Sequence, residues 1–312
     1  MNKNTELLLI SPEKITMTEP CLFWAREPDQ DFVRSIERFG QMEPVLVMSK
    51  PEKKVLVAGY KRTRSLMHLG RDIIALEIPP AEDYWKGIVY LLSNQNQILD
   101  PGKTILALRY FQSAGNLSQE VWTQLHIKPG SKIQTLWQNW LELPLVWDGL
   151  LAGGNISVEC SRILKQTGPD DRQCLFPFFS RLSWSRNNSI NLLSWLDETA
   201  RKDHKGMCQL IDELKLASIL DKDLSPQDKI KSILKLAFQA RYPLLSTMKN
   251  DLEHRLRSTA AGSGWRMEHR DEFESTEIHL FTRISSKHDL KKALDELEQI
   301  YQSGALDDWP VK

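Results

Sequence analysis

The sequence contains no long hydrophobic run. A membrane-spanning helix needs about 18 or more apolar residues in succession, and no such stretch occurs among the 312 residues. Residues 1–6 also lack the cationic and apolar regions of a secretory signal. We therefore expect a soluble intracellular protein without a membrane partner.

Cysteine is scarce and forms no motif. The four cysteines are dispersed, with no Cys-x-x-Cys pair and no histidine at ligand spacing. This pattern predicts no metal site in the protein itself. We expect buried thiols at all four positions, which are Cys21, Cys160, Cys174 and Cys208.

An excess of positive charge is also missing. Lys and Arg together number 41, Asp and Glu together number 41, and no region forms a basic block. Proteins that bind DNA tightly and without sequence preference usually have a strongly positive face. A neutral chain can still place a few cations on one surface, and this length indicates two or three domains.

The most informative segment is a strand that runs into a helix through a glycine. Two apolar runs, residues 44–48 and 55–58, predict two strands around a polar turn. After Gly59 the apolar spacing becomes helical, and Lys61, Arg62 and Arg64 lie near the helix start. Free backbone N–H groups and cationic side chains at such a start favour a phosphate ligand. The alternative is a basic helix start neutralised by water or by a nearby carboxylate.

This part of the chain resembles the ParB/KorB-like family of partition proteins. In that family an Ile-x-Pro-x-x-Ile phrase, an Arg, an Asp-led helix ending in Gly and a Pro-Val-x-Val strand precede a Gly-Glu-Arg-Arg-x-Arg-Ala turn. The order and spacing match here at Ile10, Pro12, Ile15, Arg26, Asp31, Gly40, residues 44–47 and residues 59–65. Tyr60 and Lys61 replace the glutamate and the first arginine of the family turn.

The resemblance implies a CTP site with Mg²⁺ bridging the triphosphate oxygens. The family also has a Glu-Asn-x-Gln-Arg box, whose glutamate supports hydrolysis, but Leu92 and Asn96 occupy the glutamate and arginine positions here. We therefore expect nucleotide binding with weak or absent CTPase activity. The nucleotide-binding residues carried over by the resemblance are Arg26, Gly59, Lys61, Arg62, Arg64, Asn94 and Gln95.

Other interpretations of these segments stay open. Residues 94–97 are equally typical of a polar helix cap before Pro101. A sulfiredoxin-type protein of the same fold is set aside, because it would need a cysteine in the turn, where Tyr60 and Lys61 stand. A free-serine kinase of this superfamily would need carboxylates that the turn lacks.

The middle of the chain predicts a helix-turn-helix. A short helix follows Ser118, residues 127–130 form a turn, and a second helix follows Ser131. The second helix has apolar positions at helical spacing, namely Ile133, Leu136, Trp137, Trp140 and Leu141. Its polar positions carry side chains of the types that reach phosphates and base edges. The alternative is a helical hairpin with a solvated polar face.

The continuation strengthens the family resemblance. Residues 141–164 are similar to the ParB phrase Leu-Lys-Leu-Pro followed by Leu-x-x-Gly-x-Ile-Ser-x-x-His-Ala-Arg-x-Leu, with Cys160 in place of the histidine. The resemblance implies DNA binding, and Arg162 either contacts the DNA backbone or pairs with Asp170 or Asp171. The candidate DNA-binding residues are Ser118, Gln119, Lys128, Ser131, Lys132, Gln134, Thr135 and Arg162.

Most of the remaining apolar residues in this region are expected to lie in the hydrophobic core. Six tryptophans lie within helical patterns, and we expect core positions for most of them: Trp122, Trp137, Trp140, Trp147, Trp184 and Trp195. A further helix is predicted from one apolar stripe, which consists of Met207, Leu210, Ile211, Leu214 and Leu216.

The C-terminal part predicts a small unit of mixed structure. A helix at 247–257, strands at 265–270 and 277–284, and a helix at 286–301 follow in order. The last helix has apolar residues on one face, which are Leu290, Leu294, Leu297 and Tyr301. So small a unit buries little surface alone, and its order is similar to the ParB dimerisation domain, which implies a homodimer.

Together these features predict an α+β protein. We expect a ParB/sulfiredoxin-like α/β domain at residues 1–100, an all-α helix-turn-helix domain at 101–225, a helical linker at 226–245 and an α/β dimerisation unit at 246–312. The predicted function is a CTP-responsive DNA clamp or partition factor in the cytoplasm, associated with a nucleoid or plasmid and able to use a partner ATPase. The main alternative is a DNA-binding regulator or adaptor with a non-functional nucleotide site, and a phosphotransferase or nuclease is a third.

Overall fold

The N-terminal region folds around a five-stranded sheet. A computed structural model describes residues 7–51, 53–268 and 277–304. The strands are β1 (Leu7–Ile10), β2 (Ile15–Thr16), β3 (Val45–Ser49), β4 (Lys54–Ala58) and β5 (Ile73–Ile78), in the order β1-β5-β3-β4-β2. The pairs β1–β5 and β3–β4 are antiparallel, and the pairs β3–β5 and β2–β4 are parallel. Val45, Val47 and Leu56 are fully buried, as expected for central strands.

Three helices complete the sheet region. They are α1 (Gln30–Phe39), α2 (Tyr60–His68) and α3 (Asp83–Leu92). The Asp29 side chain caps α1, and Gly40 ends that helix with a positive φ of 75°. The helix predicted after Gly59 is α2, and the two strands predicted before it are β3 and β4, so these predictions are confirmed.

The central region is entirely helical in the described residues. Its helices are α4 (Pro101–Ser113), α5 (Gln119–Gln124), α6 (Lys132–Leu141), α7 (Val146–Ala152), α8 (Ser161–Gln166), α9 (Pro169–Arg181), α10 (Arg186–Lys202), α11 (Met207–Glu213), α12 (Leu216–Leu220) and α13 (Pro226–Arg241). One continuous cluster of buried apolar side chains extends from the sheet to α13. Five of the six tryptophans are buried in it, and Trp195 is half-buried, so the core prediction is confirmed.

The C-terminal region has a separate, smaller core. It contains α14 (Pro243–Thr259), the antiparallel strands β6 (Arg266–Glu268) and β7 (His279–Phe281), and α15 (Lys287–Gln302). Its buried cluster consists of Leu252, Leu256, Met267 and Ile300. The predicted domain boundaries stay predictions. Among the helices in the described ranges, none is long and apolar enough to cross a membrane.

Three sequence predictions about these regions were wrong. The stripe that begins at Met207 forms two helices, because Lys215 adopts a positive φ of 52° between α11 and α12. Ile133 is exposed instead of facing inward. The strand predicted at 277–284 is limited to β7, while residues 269 and 270 of the preceding strand lie outside the described residues.

The prediction of four free thiols was also wrong for one pair. Cys21 and Cys160 are buried free cysteines, but a disulfide joins Cys174 on α9 to Cys208 on α11. The two residues are 34 positions apart in the sequence, with Cα atoms separated by 5.5 Å. Dispersed positions along the chain did not reveal this pair, because the packing of α9 against α11 brings them together.

Candidate functional site

The turn at Gly59 has a backbone shape that demands glycine. Gly59 lies between β4 and α2 with φ 99° and ψ 30°, and a Cβ atom there would lie 2.7 Å from Val45 Cγ1. The first hydrogen bond of the helix runs from Thr63 N to Gly59 O at 3.0 Å. The N–H groups of Tyr60, Lys61 and Arg62 therefore have no intrahelical acceptor and are available at the start of α2.

This helix start forms one wall of a cleft of about 290 Å³. The other walls come from the segment before α1 and from the end of α3 and the turn after it. The cleft brings together five of the seven predicted nucleotide-binding residues, which are Arg26, Gly59, Lys61, Arg62 and Asn94. The remaining lining residues are Trp24, Ala25, Phe32, Glu43, Tyr60, Tyr90, Ser93 and Gln97.

The structure does not place Arg64 and Gln95 in this cleft. Arg64 lines a neighbouring cleft between α1 and α2, where its Nε donates to Glu27 Oε2 at 3.0 Å. Gln95 is exposed and points to α5, with Nε2 3.5 Å from Gln124 Oε1. Gln97 lines the cleft instead, because the turn after α3 brings it back to Asn94 at 2.8 Å.

Two of the three cations in the cleft already have carboxylate partners. Arg62 Nη1 lies 3.0 Å from Glu43 Oε2, and Lys61 Nζ lies 3.8 Å from Asp29 Oδ2. Arg26 is exposed and has no hydrogen-bond or ion-pair partner among residues 7–51, 53–268 and 277–304. The expected alternative of a nearby carboxylate at the helix start is therefore present in the structure.

The carboxylates around α2 are stabilised in their charged forms. The backbone N–H of Phe32 and the charge of Lys61 hold the pKa of Asp29 below its usual value. Hydrogen bonds from Arg64 and from the Tyr60 hydroxyl lower the pKa of Glu27. These groups are ionised near neutral pH and act as full counter-charges to the basic turn.

Tyr60, which replaces the family glutamate, has its own partner. Its hydroxyl donates to Glu27 Oε1 at 2.9 Å. Partial burial raises the pKa of Tyr60, and the neighbouring Glu27 charge raises it further. The hydroxyl stays protonated and joins the start of α2 to the segment that carries Arg26.

The cleft offers Mg²⁺ few protein ligands. Glu43 is the only carboxylate among its lining residues, and that group pairs with Arg62. No cluster of three or more His, Cys, Asp or Glu side chains with metal-binding geometry occurs in the described part of the chain. Mg²⁺ commonly binds through one or two carboxylates plus phosphate oxygens, so these residues suit an ion that arrives with a phosphate chain.

The predicted helix pair is formed by α5 and α6. Ser118 and Ser131 are the N-cap residues of the two helices, and Gln134 Oε1 accepts from Gly130 N at 2.6 Å. These three side chains therefore stabilise the helix starts. The predicted residues of these two helices and their turn that are exposed are Gln119, Lys128, Lys132 and Thr135. The role of this pair as a helix-turn-helix stays a prediction.

Arg162 lies on α8, which packs beside α6. Ser161 Oγ donates to Leu136 O at 2.9 Å across this contact. Arg162 is exposed and has no ion-pair partner in the described ranges, so the alternative of pairing with Asp170 or Asp171 is not formed, and DNA contact by Arg162 stays a prediction. Asp171 instead accepts from the backbone N–H of Cys208 at 2.8 Å.

Sequence reasoning missed several residues of the cleft. Trp24 and Tyr90 are buried aromatic residues of its wall, and Glu43 and Asp29 pair with its cations. The one available signal was their position within segments that resemble the family. Single residues in that resemblance do not show which side chain turns toward Gly59.

The fold and the basic cleft define an α+β protein with a sheet domain followed by a large helical part. No family model matches the chain. A curated relative, the probable chromosome-partitioning protein ParB of Campylobacter jejuni, is 25% identical over 171 residues. The match covers 54% of this chain and 60% of the relative, so the chain spans less than two thirds of that protein. The sequence similarity supports the predicted ParB-like family, and the α+β class is confirmed.

Solved structures of ParB proteins are also similar, at low scores. ParB from Caulobacter crescentus bound to the centromeric parS site is 14% identical, with a TM-score of 0.36, and covers 55% of this chain and 91% of its own. The same protein with CTP-gamma-S is 18% identical, with a TM-score of 0.27, and covers 52% and 93%. A Pnob8-like ParB-N domain is 14% identical, with a TM-score of 0.34, and covers 81% and 97%.

Proposed function

We propose that this chain is a ParB-like DNA-binding partition or regulatory factor whose N-terminal cleft binds CTP. One observation carries the proposal: Arg26, Lys61 and Arg62 converge with the start of α2 on a single cleft. A helix start and several cations together suit a phosphate chain. The aromatic and amide side chains of the other walls suit a base and ribose.

The proposed role for the nucleotide is binding with weak or absent hydrolysis. Leu92 and Asn96, at the positions of the family glutamate and arginine, are both exposed and supply no carboxylate. Mg²⁺ would be held mainly by phosphate oxygens. A bound nucleotide would favour one arrangement of the two N-terminal domains in a dimer and so close a clamp around DNA.

The DNA surface in this proposal combines the exposed parts of α5, α6 and α8. Lys128, Lys132 and Arg162 are exposed and have no ion-pair partners in the described residues. Cations without internal partners are the groups that neutralise phosphates. The proposed location is the cytoplasm, on a nucleoid or plasmid, and a partner ATPase stays part of the proposal through the resemblance alone.

A second candidate function is a DNA-binding regulator or adaptor without a nucleotide. The ion pairs of Lys61 and Arg62 favour it, because these two cations are already neutralised without any ligand. In that case the cleft would be a structural remnant of the family site.

Calorimetric titration of the full chain with CTP, ATP and GTP in the presence of Mg²⁺ separates the two functions. Arg26→Ala is the informative variant, because it removes a cation without breaking a hydrogen bond or an ion pair within the described residues. Arg62 is less suitable, because its Nη1 also donates to the carbonyl oxygens of Glu43 and Pro44.

We expect selective CTP binding that Arg26→Ala weakens by about tenfold or more, as for loss of a charge-assisted hydrogen bond. Arg38→Ala, which removes an exposed cation of α1 outside the cleft, is the matched control and should leave the affinity unchanged. Absence of binding for all three nucleotides would favour the regulator or adaptor.

A further inference from the structure

We infer that Glu43 and Asp29 act as internal competitors for the phosphate chain, holding Arg62 and Lys61 until a ligand displaces them. The inference rests on the proposed function and adds a control of affinity to the same cleft. It concerns three groups that no motif identifies as part of the site: two carboxylates and the backbone that orients Arg62.

Arg62 is held in place independently of the Glu43 carboxylate. Its Nη1 donates to Glu43 O at 3.1 Å and to Pro44 O at 3.0 Å, in addition to the carboxylate contact. Loss of the carboxylate charge therefore leaves the guanidinium in the cleft wall. Its charge would then be uncompensated and more attractive to an anion.

The exposed Glu43 carboxylate can separate from Arg62 at little cost in free energy. Its side chain is 78% exposed, so solvent screens the ion pair and little burial holds it. Exposed ion pairs of this kind contribute little to folding stability. A triphosphate with several charges can therefore replace one carboxylate without a large cost to the fold.

Asp29 is a weaker competitor than Glu43. Its Oδ2 lies 3.8 Å from Lys61 Nζ, against 3.0 Å for the Glu43 contact with Arg62. Its Oδ1 accepts a hydrogen bond from Phe32 N at 2.8 Å and caps α1, so the Asp29 side chain also stabilises the start of this helix. Because Asn caps helices as well as Asp does, Asp29→Asn removes the charge and keeps the cap.

Three single variants give a ranked expectation in calorimetric titrations of the full chain. Glu43→Gln should tighten CTP binding by about three- to fivefold, and Asp29→Asn by about twofold, as for release of exposed ion pairs. Glu37→Gln is the matched control, because it neutralises an exposed carboxylate of α1 outside the cleft. This variant should leave the affinity for CTP unchanged. The gain for Glu43→Gln should shrink as salt concentration rises.

Inorganic tripolyphosphate is the second probe, because it tests the anion site without a base or ribose. Tighter tripolyphosphate binding to Glu43→Gln than to the unmodified chain supports the inference, even where the unmodified chain binds too weakly to measure. CTP binding that is equal in the unmodified chain and Glu43→Gln overturns the inference and leaves the proposed function standing. Failure of both probes to bind either protein overturns both.

Discussion

At the scale of single residues, the strongest constraint is the space at Gly59. Its φ of 99° strains any other residue, and a Cβ atom would approach Cγ1 of the fully buried Val45 in β3 to 2.7 Å. We expect Gly59→Ala to lower the free energy of unfolding by about 2–3 kcal/mol, from backbone strain plus the clash. Urea unfolding, monitored by circular dichroism, measures the loss in the free energy of unfolding.

Gly40→Ala separates the two contributions. Gly40 also has a positive φ, of 75°, but no atom beyond its two chain neighbours lies within 4 Å of the place where a Cβ would stand. This variant should cost only about 1 kcal/mol from strain. Equal losses for the two variants would mean that contact with Val45 is not what fixes glycine at position 59.

Local residue patterns predicted the turn but not its counter-ions. Gly59 and the cations that follow it are adjacent in sequence, so a strand-to-helix pattern was enough to place them together. Glu43 and Asp29 reach α2 only after the sheet has formed and α1 has packed beside α2. The exchange of Gln95 for Gln97 depends on the path of one turn, which apolar periodicity does not determine.

At the scale of elements, the proposed DNA surface on α6 and α8 can be tested by substitution. Lys132 and Arg162 are exposed cations on two helices that pack together. If both contact phosphates, each single alanine variant should weaken binding to a fluorescent DNA duplex several-fold at low salt. The slope of log affinity against log salt should also fall by about 0.9 per lost contact. Fluorescence anisotropy over a salt series measures both effects.

Arg38→Ala provides the control for this experiment. Arg38 is an exposed cation on α1 in the sheet region, outside α6 and α8, and its removal changes net charge by the same amount. An unchanged salt slope in Lys132→Ala and Arg162→Ala, or the same loss in all three variants, would argue against a DNA site on α6 and α8.

Helices were easier to predict here than their ends and interruptions. Serine caps and apolar periodicity placed α5 and α6 correctly. The break at Lys215 was not predicted, because a lysine with positive φ has no distinctive sequence signal. The predicted strand at 277–284 alternates cleanly, yet only β7 pairs with β6, since strand length depends on the partner as well as on the pattern.

At the scale of the whole molecule, α3 connects the cleft to the helix pair. Tyr90 lines the cleft from this helix, and Tyr84 near its start bonds the Ser118 side chain at the N-cap of α5 at 2.7 Å. A second link runs from Trp24, in the cleft wall, whose Nε1 donates to Lys103 O on α4 at 2.7 Å. A ligand in the cleft would therefore contact elements that also contact the proposed DNA surface.

The C-terminal region exposes several large apolar side chains, and we expect a second copy of the chain to cover them. Leu290, Leu294 and Tyr301 are exposed on one face of α15, and Leu280, Phe281 and Ile284 are exposed nearby in sequence. Several exposed large apolar side chains on one helix face are typical of subunit interfaces. The small buried core of the region agrees with a unit that needs a partner for stability.

We therefore expect the full chain to sediment as a dimer and Leu294→Glu to sediment as a monomer at the same concentration. Leu294 is 56% exposed in the single chain, so glutamate at this position should leave the monomer folded. In the expected dimer the same glutamate would place an unpaired charge in the interface. Leu244→Glu is the control, because Leu244 is 80% exposed on α14. Analytical ultracentrifugation with circular dichroism separates loss of the dimer from loss of folding. A monomeric unmodified chain, or a dimeric Leu294→Glu, would show that this face of α15 does not join two subunits.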